Sequence, residues 1–153
     1  VNMTTAETIA ARKDRMGVLA RSTNARLQER WSVLGIDPDY GLLRGPEFGL
    51  VMLRGRIGGT GEAFNIGEAT VTRASVKLED GAVGHAMMLG REPAKAELSA
   101  VIDAVCHDAG MAARIDQDLI ESIRLELQAS DETRRSQTAA TRVDFFTMVR
   151  GED

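Results

Sequence analysis

Apolar positions recur first at helical spacing. From Thr4 to Arg21, Ile9, Met16 and Leu19 follow a loose 3.6-residue repeat with several alanines between them, which predicts an amphipathic helix. Ser22, Thr23 and Asn24 then offer capping oxygens to a second helix, with Leu27, Trp31 and Leu34 spaced by four and three. Gly35 suits the left-handed position after its last turn, and "DPDYG" completes the stop. The period then changes. "YGLLRGPEFGLVMLRGRI" contains two short extended runs broken by the turn pair Gly45-Pro46, and Leu50–Arg56 reads as a half-buried strand. Ala69–Leu78 alternates more cleanly. Ala69, Val71, Arg73, Ser75 and Lys77 fall on one face, and Thr70, Thr72, Ala74, Val76 and Leu78 on the other. Asp80-Gly81 then predicts a two-residue hairpin turn in which both residues tolerate positive φ, with Val83–Leu89 as the partner strand.

After Gly90 the helical period returns. Pro93 fits a first helical turn, Leu98, Val101, Ile102 and Val105 form one stripe, and Gly110 suits the position after the last turn. A further helical pattern runs from about Asp116 to Leu127, and its polar continuation "SDETRRSQTAATR" reads equally as helix or solvated connector. The final "VDFFTMVRG" is apolar and β-prone. The expectation is an α+β fold, an antiparallel sheet of about four strands flanked by amino-terminal and carboxyl-terminal helices. It forms one domain over residues 1–153: helices at about 4–35, strands at about 40–90, a helical region at about 92–140 and an apolar terminal segment at 143–150.

Composition narrows the function classes. Aromatics are only 4% of the chain, so aliphatic residues and Ala carry the packing and the lone Trp31 reads as a core or interface anchor. The net charge of −4, without a basic run, lacks the cationic footprint of a nucleic-acid reader. No apolar stretch approaches the ~20 residues that cross a bilayer, and the first residues contain no apolar core of a secretory signal. Cytoplasm is the expected compartment. A single cysteine, Cys106, excludes an internal disulfide and a Cys-rich metal site.

The candidate chemistry centres on "RIGGTGEAFNIGEATVTR". Gly58, Gly59, Thr60 and Gly61 suggest a phosphate loop, but a P-loop needs a lysine after its last glycine and a helix to follow. Here Glu62 and a strand pattern follow, so the loop reads first as a strand connection. Arg54, Arg56 and Arg73 flank it, and their guanidinium forks suit a phosphate or a partner's carboxylate; Glu62 and Glu68 are the candidates to neutralise them internally. His85 and His107 are too isolated to predict a metal or catalytic pair, and no catalytic residue stands out. Phe145, Phe146 and Met148, with Arg150 as a rim charge, form the candidate partner-binding anchor.

Two stretches carry a family pattern. "RIGGTGEAFNIGEATVTRASVKLEDGAVGHAMMLGR", continued by "AELSAVIDA", and the terminal "TRVDFFTMVRGED" resemble the PhnG family, subunits of the bacterial carbon–phosphorus lyase core complex. "RMGVLARS" and "GPEFGLVMLRGRIGG" match in order, so the resemblance runs from about Met16 onward. It implies a cytoplasmic component acting with the H, I and J subunits, and with L, where a phosphonate displaces adenine from MgATP to give α-D-ribose 1-alkylphosphonate 5-triphosphate. It further implies an accessory subunit that binds no cofactor of its own, MgATP being a substrate of the complex. The residues leave two alternatives open: a free-standing phosphonate- or nucleotide-binding enzyme, and a homo-oligomeric binding module.

Overall fold

The computed structural model describes residues 5–141. The order is α1 (Thr5–Arg21), α2 (Asn24–Leu34), β1 (Tyr40–Arg56), β2 (Ala63–Leu78), β3 (Val83–Leu89), α3 (Pro93–Val105), α4 (Ala109–Ile115), a π-helical turn (Asp116–Ile120) and α5 (Glu121–Ala140). Thr23 caps α2 by accepting the Arg26 N–H, and Gly35 takes the left-handed conformation at its end with φ 62°. Both follow the capping pattern of the sequence.

The three strands form an antiparallel meander in the order β1-β2-β3. This is one strand fewer than the sequence suggested, because Gly45-Pro46 does not end a strand. The two runs around it are one edge strand, and the pairing slips between Arg44 and Glu47 instead of breaking. An edge can carry a proline because no N–H is needed on its outer side. The second strand also begins at Ala63, ahead of its alternating stretch. The Asp80-Gly81 hairpin exists with a different turn. Leu78 O accepts the Gly81 N–H and Leu78 N–H donates to Ala82 O, which encloses Glu79, Asp80 and Gly81 in a three-residue loop. Only Gly81 has positive φ, 93°, and Asp80 instead accepts the Ala82 N–H through its carboxylate. Such loops place one left-handed residue at their end.

Helix α3 is the centre of the molecule. One face packs on β2 and β3, while α1 and α2 contact it and also the turn at 116–120. Consequently it is buried nearly all round, from Lys95 and Ala96 through Ser99 to Val105, where the sequence pattern had indicated one stripe. Its small residues allow close approach to the sheet: a Cβ on Gly84 would collide with the Ala100 carbonyl oxygen and come 2.8 Å from Ala104 Cβ. Val76, Ala74, Ala86, Met88, Ile102, Leu19, Leu27, Ile115, Leu119 and Ile123 share the resulting core.

Three buried polar groups fasten the layers. Asp103 accepts both forks of Arg12, at 2.7 and 2.8 Å, and the backbone N–H of His85 at 2.9 Å. One carboxylate therefore ties α1 to α3 and to the free edge of β3. Lys95 donates to the carbonyls of Ala20 and Ser22, which α1 leaves unpaired at its end. Arg15 grips Asp116 bidentately at 2.7 Å.

Gly110 does not terminate α3. Helix α3 ends at Val105 with Cys106 as its cap, and Asp108 caps the next helix by accepting the Met111 N–H, so Gly110 lies inside the first turn of α4. The polar stretch after Leu127 is helix as far as Ala140, with every side chain from Gln128 to Thr141 exposed. The terminal segment at 143–150 lies outside the described residues.

Gly84→Ala should destabilise the chain by on the order of 1–3 kcal/mol, because backbone atoms of α3 must move. At roughly 2–4 °C per kcal/mol for a domain of this size, a calorimetric Tm several degrees lower is the expected result. Gly81→Val should also lower Tm, although nothing lies within 4 Å of the added Cβ. The strain there is conformational, of order 1–3 kcal/mol, and an unchanged Tm would contradict the left-handed loop.

Candidate functional site

Strand β3 pairs with β2 only from Val71 to Lys77. Beyond Val71, β1 and β2 continue alone as an antiparallel ribbon: Leu50 pairs with Thr70, Met52 with Glu68, Leu53 with Gly67, Arg54 with Asn65 and Arg56 with Ala63. At ~3.3 Å per residue, this arm runs more than about 20 Å beyond the end of the β2–β3 pairing. None of residues 63–70 is buried, whereas Val71, Thr72, Ala74, Val76 and Leu78 are.

Both faces of the arm are apolar. By alternation Phe48, Leu50 and Met52 continue the face that α3 covers lower down, followed in the same row by Arg54 and Arg56. Leu53, Phe64 and Ile66 lie on the opposite face, with Ile66 against Gly55. The exposures are 64% for Leu50, 53% for Met52, 46% for Phe64 and 63% for Ile66. A two-stranded ribbon is marginal in water on its own, and a contiguous apolar patch marks an interaction site. The alternation of Phe64 and Ile66 in "AFNIGEAT" was the available signal, obscured by the glycine loop beside it.

The glycine loop is the tip of this arm. Ile57–Gly59 make a single tight turn, with φ +61° at Gly58. The N–H groups of Thr60 and Gly61 turn inward onto Ile57 O, and Arg56 donates to Gly61 O at 2.9 Å. The loop is thus a strand connection whose Thr60 and Gly61 amides serve its own turn, and a strand rather than a helix follows it. Arg54 and Arg56 stand together at the tip, with no ion pair to either among the described residues. Arg73 does not join them. It lies eight residues along β2 from Asn65, about 26 Å at strand spacing, and binds Glu47 across the strands at 2.7 Å. Glu47, not Glu62 or Glu68, neutralises it. Phe145, Phe146, Met148 and Arg150 lie outside the described residues.

The remaining reactive side chains lie apart from the arm tip. Ser75 Oγ and His85 Nδ1 are 2.8 Å apart on the uncovered sheet face. A catalytic pair needs a third group to orient the imidazole, but Asp103 reaches only the His85 backbone. His107 is exposed beyond the end of α3. Burial pushes the Cys106 thiol up to about 12, outweighing the downward pull of Arg15. Among the described residues no group of three or more His, Cys, Asp or Glu could hold a metal ion, and no helix is long and apolar enough to cross a membrane.

Comparison with known proteins fixes the lineage. The family described as phosphonate metabolism protein PhnG matches residues 10–151. The chain belongs to the PhnG family. It is similar to the "Alpha-D-ribose 1-methylphosphonate 5-triphosphate synthase subunit PhnG" of Rhizobium meliloti (strain 1021), with 48% identity over 145 residues, covering 95% of this chain and 92% of that relative. The match spans the arm, its arginine tip and the central helix together.

Because its thiol stays protonated at neutral pH and only the thiolate reacts, Cys106 should react with a disulfide reagent at pH 8 far more slowly than a free thiol. In guanidinium chloride the rate should rise by at least tenfold, toward that of an ordinary cysteine with pKa ≈ 8.5. Equal rates in the two conditions would contradict the buried, protonated thiol.

Proposed function

We propose that this chain is an accessory subunit of an α-D-ribose 1-methylphosphonate 5-triphosphate synthase in phosphonate catabolism. The observation that carries the reading is the near full-length 48% identity to a relative bearing that name. In this reading the complex, assembled with the H, I and J subunits and acting with L, lets a phosphonate displace adenine from MgATP in the cytoplasm. MgATP is then a substrate of the assembly, with no cofactor held by this chain.

The physical features support a role without a catalytic centre in this chain. A phosphate cradle needs free amides, and the Thr60 and Gly61 amides of the tip loop are used internally. General acid–base work needs a positioned group of suitable pKa, whereas the Ser75–His85 contact has no orienting carboxylate among the described residues and Cys106 is held protonated. An iron–sulfur centre needs several thiolates, and the sequence contains one cysteine.

The deciding experiment is phosphonate-dependent adenine release by the co-expressed subunits with and without this chain. Omission should abolish release, re-addition should restore it, and the chain alone should release none. Adenine release by the isolated chain, or its micromolar binding of MgATP without partners, would overturn the accessory reading in favour of a free-standing enzyme.

A further inference from the structure

We propose that the β1–β2 arm, residues 50–70, inserts into a cleft of another subunit that covers both of its faces and presents carboxylates to Arg54 and Arg56. This rests on the reading of the chain as a subunit and names the surface that makes it one.

Three observations converge on the arm. First, its apolar residues occupy both faces: Leu50 and Met52 on one, Leu53, Phe64 and Ile66 on the other. A partner lying flat against one face would leave the second wet, so the shape that fits is a cleft. Second, β3 stops opposite Val71, and residues 63–69 of β2 have no strand beside them on that side among the described residues. Their backbone groups there are open to an added strand or to polar groups of a cleft wall. Third, the row of apolar side chains on β1 ends in Arg54 and Arg56, which have no carboxylate partner among the described residues. An apolar row closed by guanidinium groups asks for a partner surface of the same order, apolar and then acidic.

Charge distinguishes a different subunit from a second copy. The arm carries two acidic residues, Glu62 in the tip loop and Glu68 opposite Met52. Arm-to-arm pairing would therefore set Glu68 within the apolar row and leave Glu62 alone at the tip to meet two guanidinium groups.

The arm can be tested without disturbing the body, because the buried residues of β2 begin at Val71. The test is capture of this chain by the co-expressed H, I and J subunits, using wild type, Leu50→Glu/Met52→Glu, Phe64→Glu/Ile66→Glu and Arg54→Glu/Arg56→Glu. Circular dichroism and Tm are measured on each isolated chain. Each pair should keep wild-type secondary structure and Tm within a few degrees, and should lower capture by roughly tenfold or more. Loss from both apolar pairs is the signature of a cleft, since a one-sided contact would spare one of them. Normal capture of all three variants beside wild type would overturn the arm while leaving the subunit reading intact. Failure of wild type itself to be captured would sink both.

Two further outcomes reassign parts of the surface. An isolated wild-type dimer that Leu50→Glu/Met52→Glu makes monomeric would transfer the arm to self-association and overturn the heterologous occupant. Full capture of an Arg54→Met/Arg56→Met variant, combined with lost adenine release, would move the two arginines to a substrate phosphate and overturn the carboxylate contact.

Discussion

The near-contact between α3 and Gly84 is the constraint on which the remaining structure depends. Ala100 and Ala104 bring helix backbone so close to β3 that no Cβ fits there. At that separation Asp103, on the same helix, can reach around the strand edge to the His85 N–H and outward to Arg12. A buried carboxylate without partners would cost several kcal/mol; here three donors meet it. Close packing and the polar clasp are therefore one arrangement, and α1 is placed by it.

What the sequence revealed follows from how local each signal is. The α2 cap at Thr23, the stop at Gly35, the hairpin after Leu78 and Pro93 at the start of α3 all depend on adjacent residues, and all are where the sequence implied. The misses depend on distant partners. Gly45-Pro46 has the local chemistry of a turn, but pairing along β2 carries the strand through it. Gly110 resembles a helix stop until Asp108 is recognised as the cap of the next helix. Asp103 gave no local signal at all, because its partners lie 18 and 91 residues away.

The candidate site was legible by residue type and not by arrangement. The arginines and the glycine loop were visible as unusual, yet flanking one loop in sequence suggested that Arg54, Arg56 and Arg73 form a single edge. Strand geometry separates them, because Arg73 lies far along the strand from the tip and, next to Thr72, on the opposite face of the sheet. Once β1 and β2 are seen to outrun β3, the apolar residues around the loop, and not the loop itself, become the prominent feature. The molecule divides into a body built around a buried core and an arm that leaves apolar residues in water.

That division bears on how much of this chain a cell can hold. An apolar ribbon with an open strand edge is a template for pairing with any similar edge, including those of nascent or partly folded chains. The body's stability gives no protection, because the hazard is present in the folded state. Under the proposed docking, copies made in excess of the cover are the aggregation-prone fraction, and matched synthesis of the chain and its cover follows as a physical requirement. Gene dosage then joins side-chain packing in setting the concentration at which such a chain stays in solution.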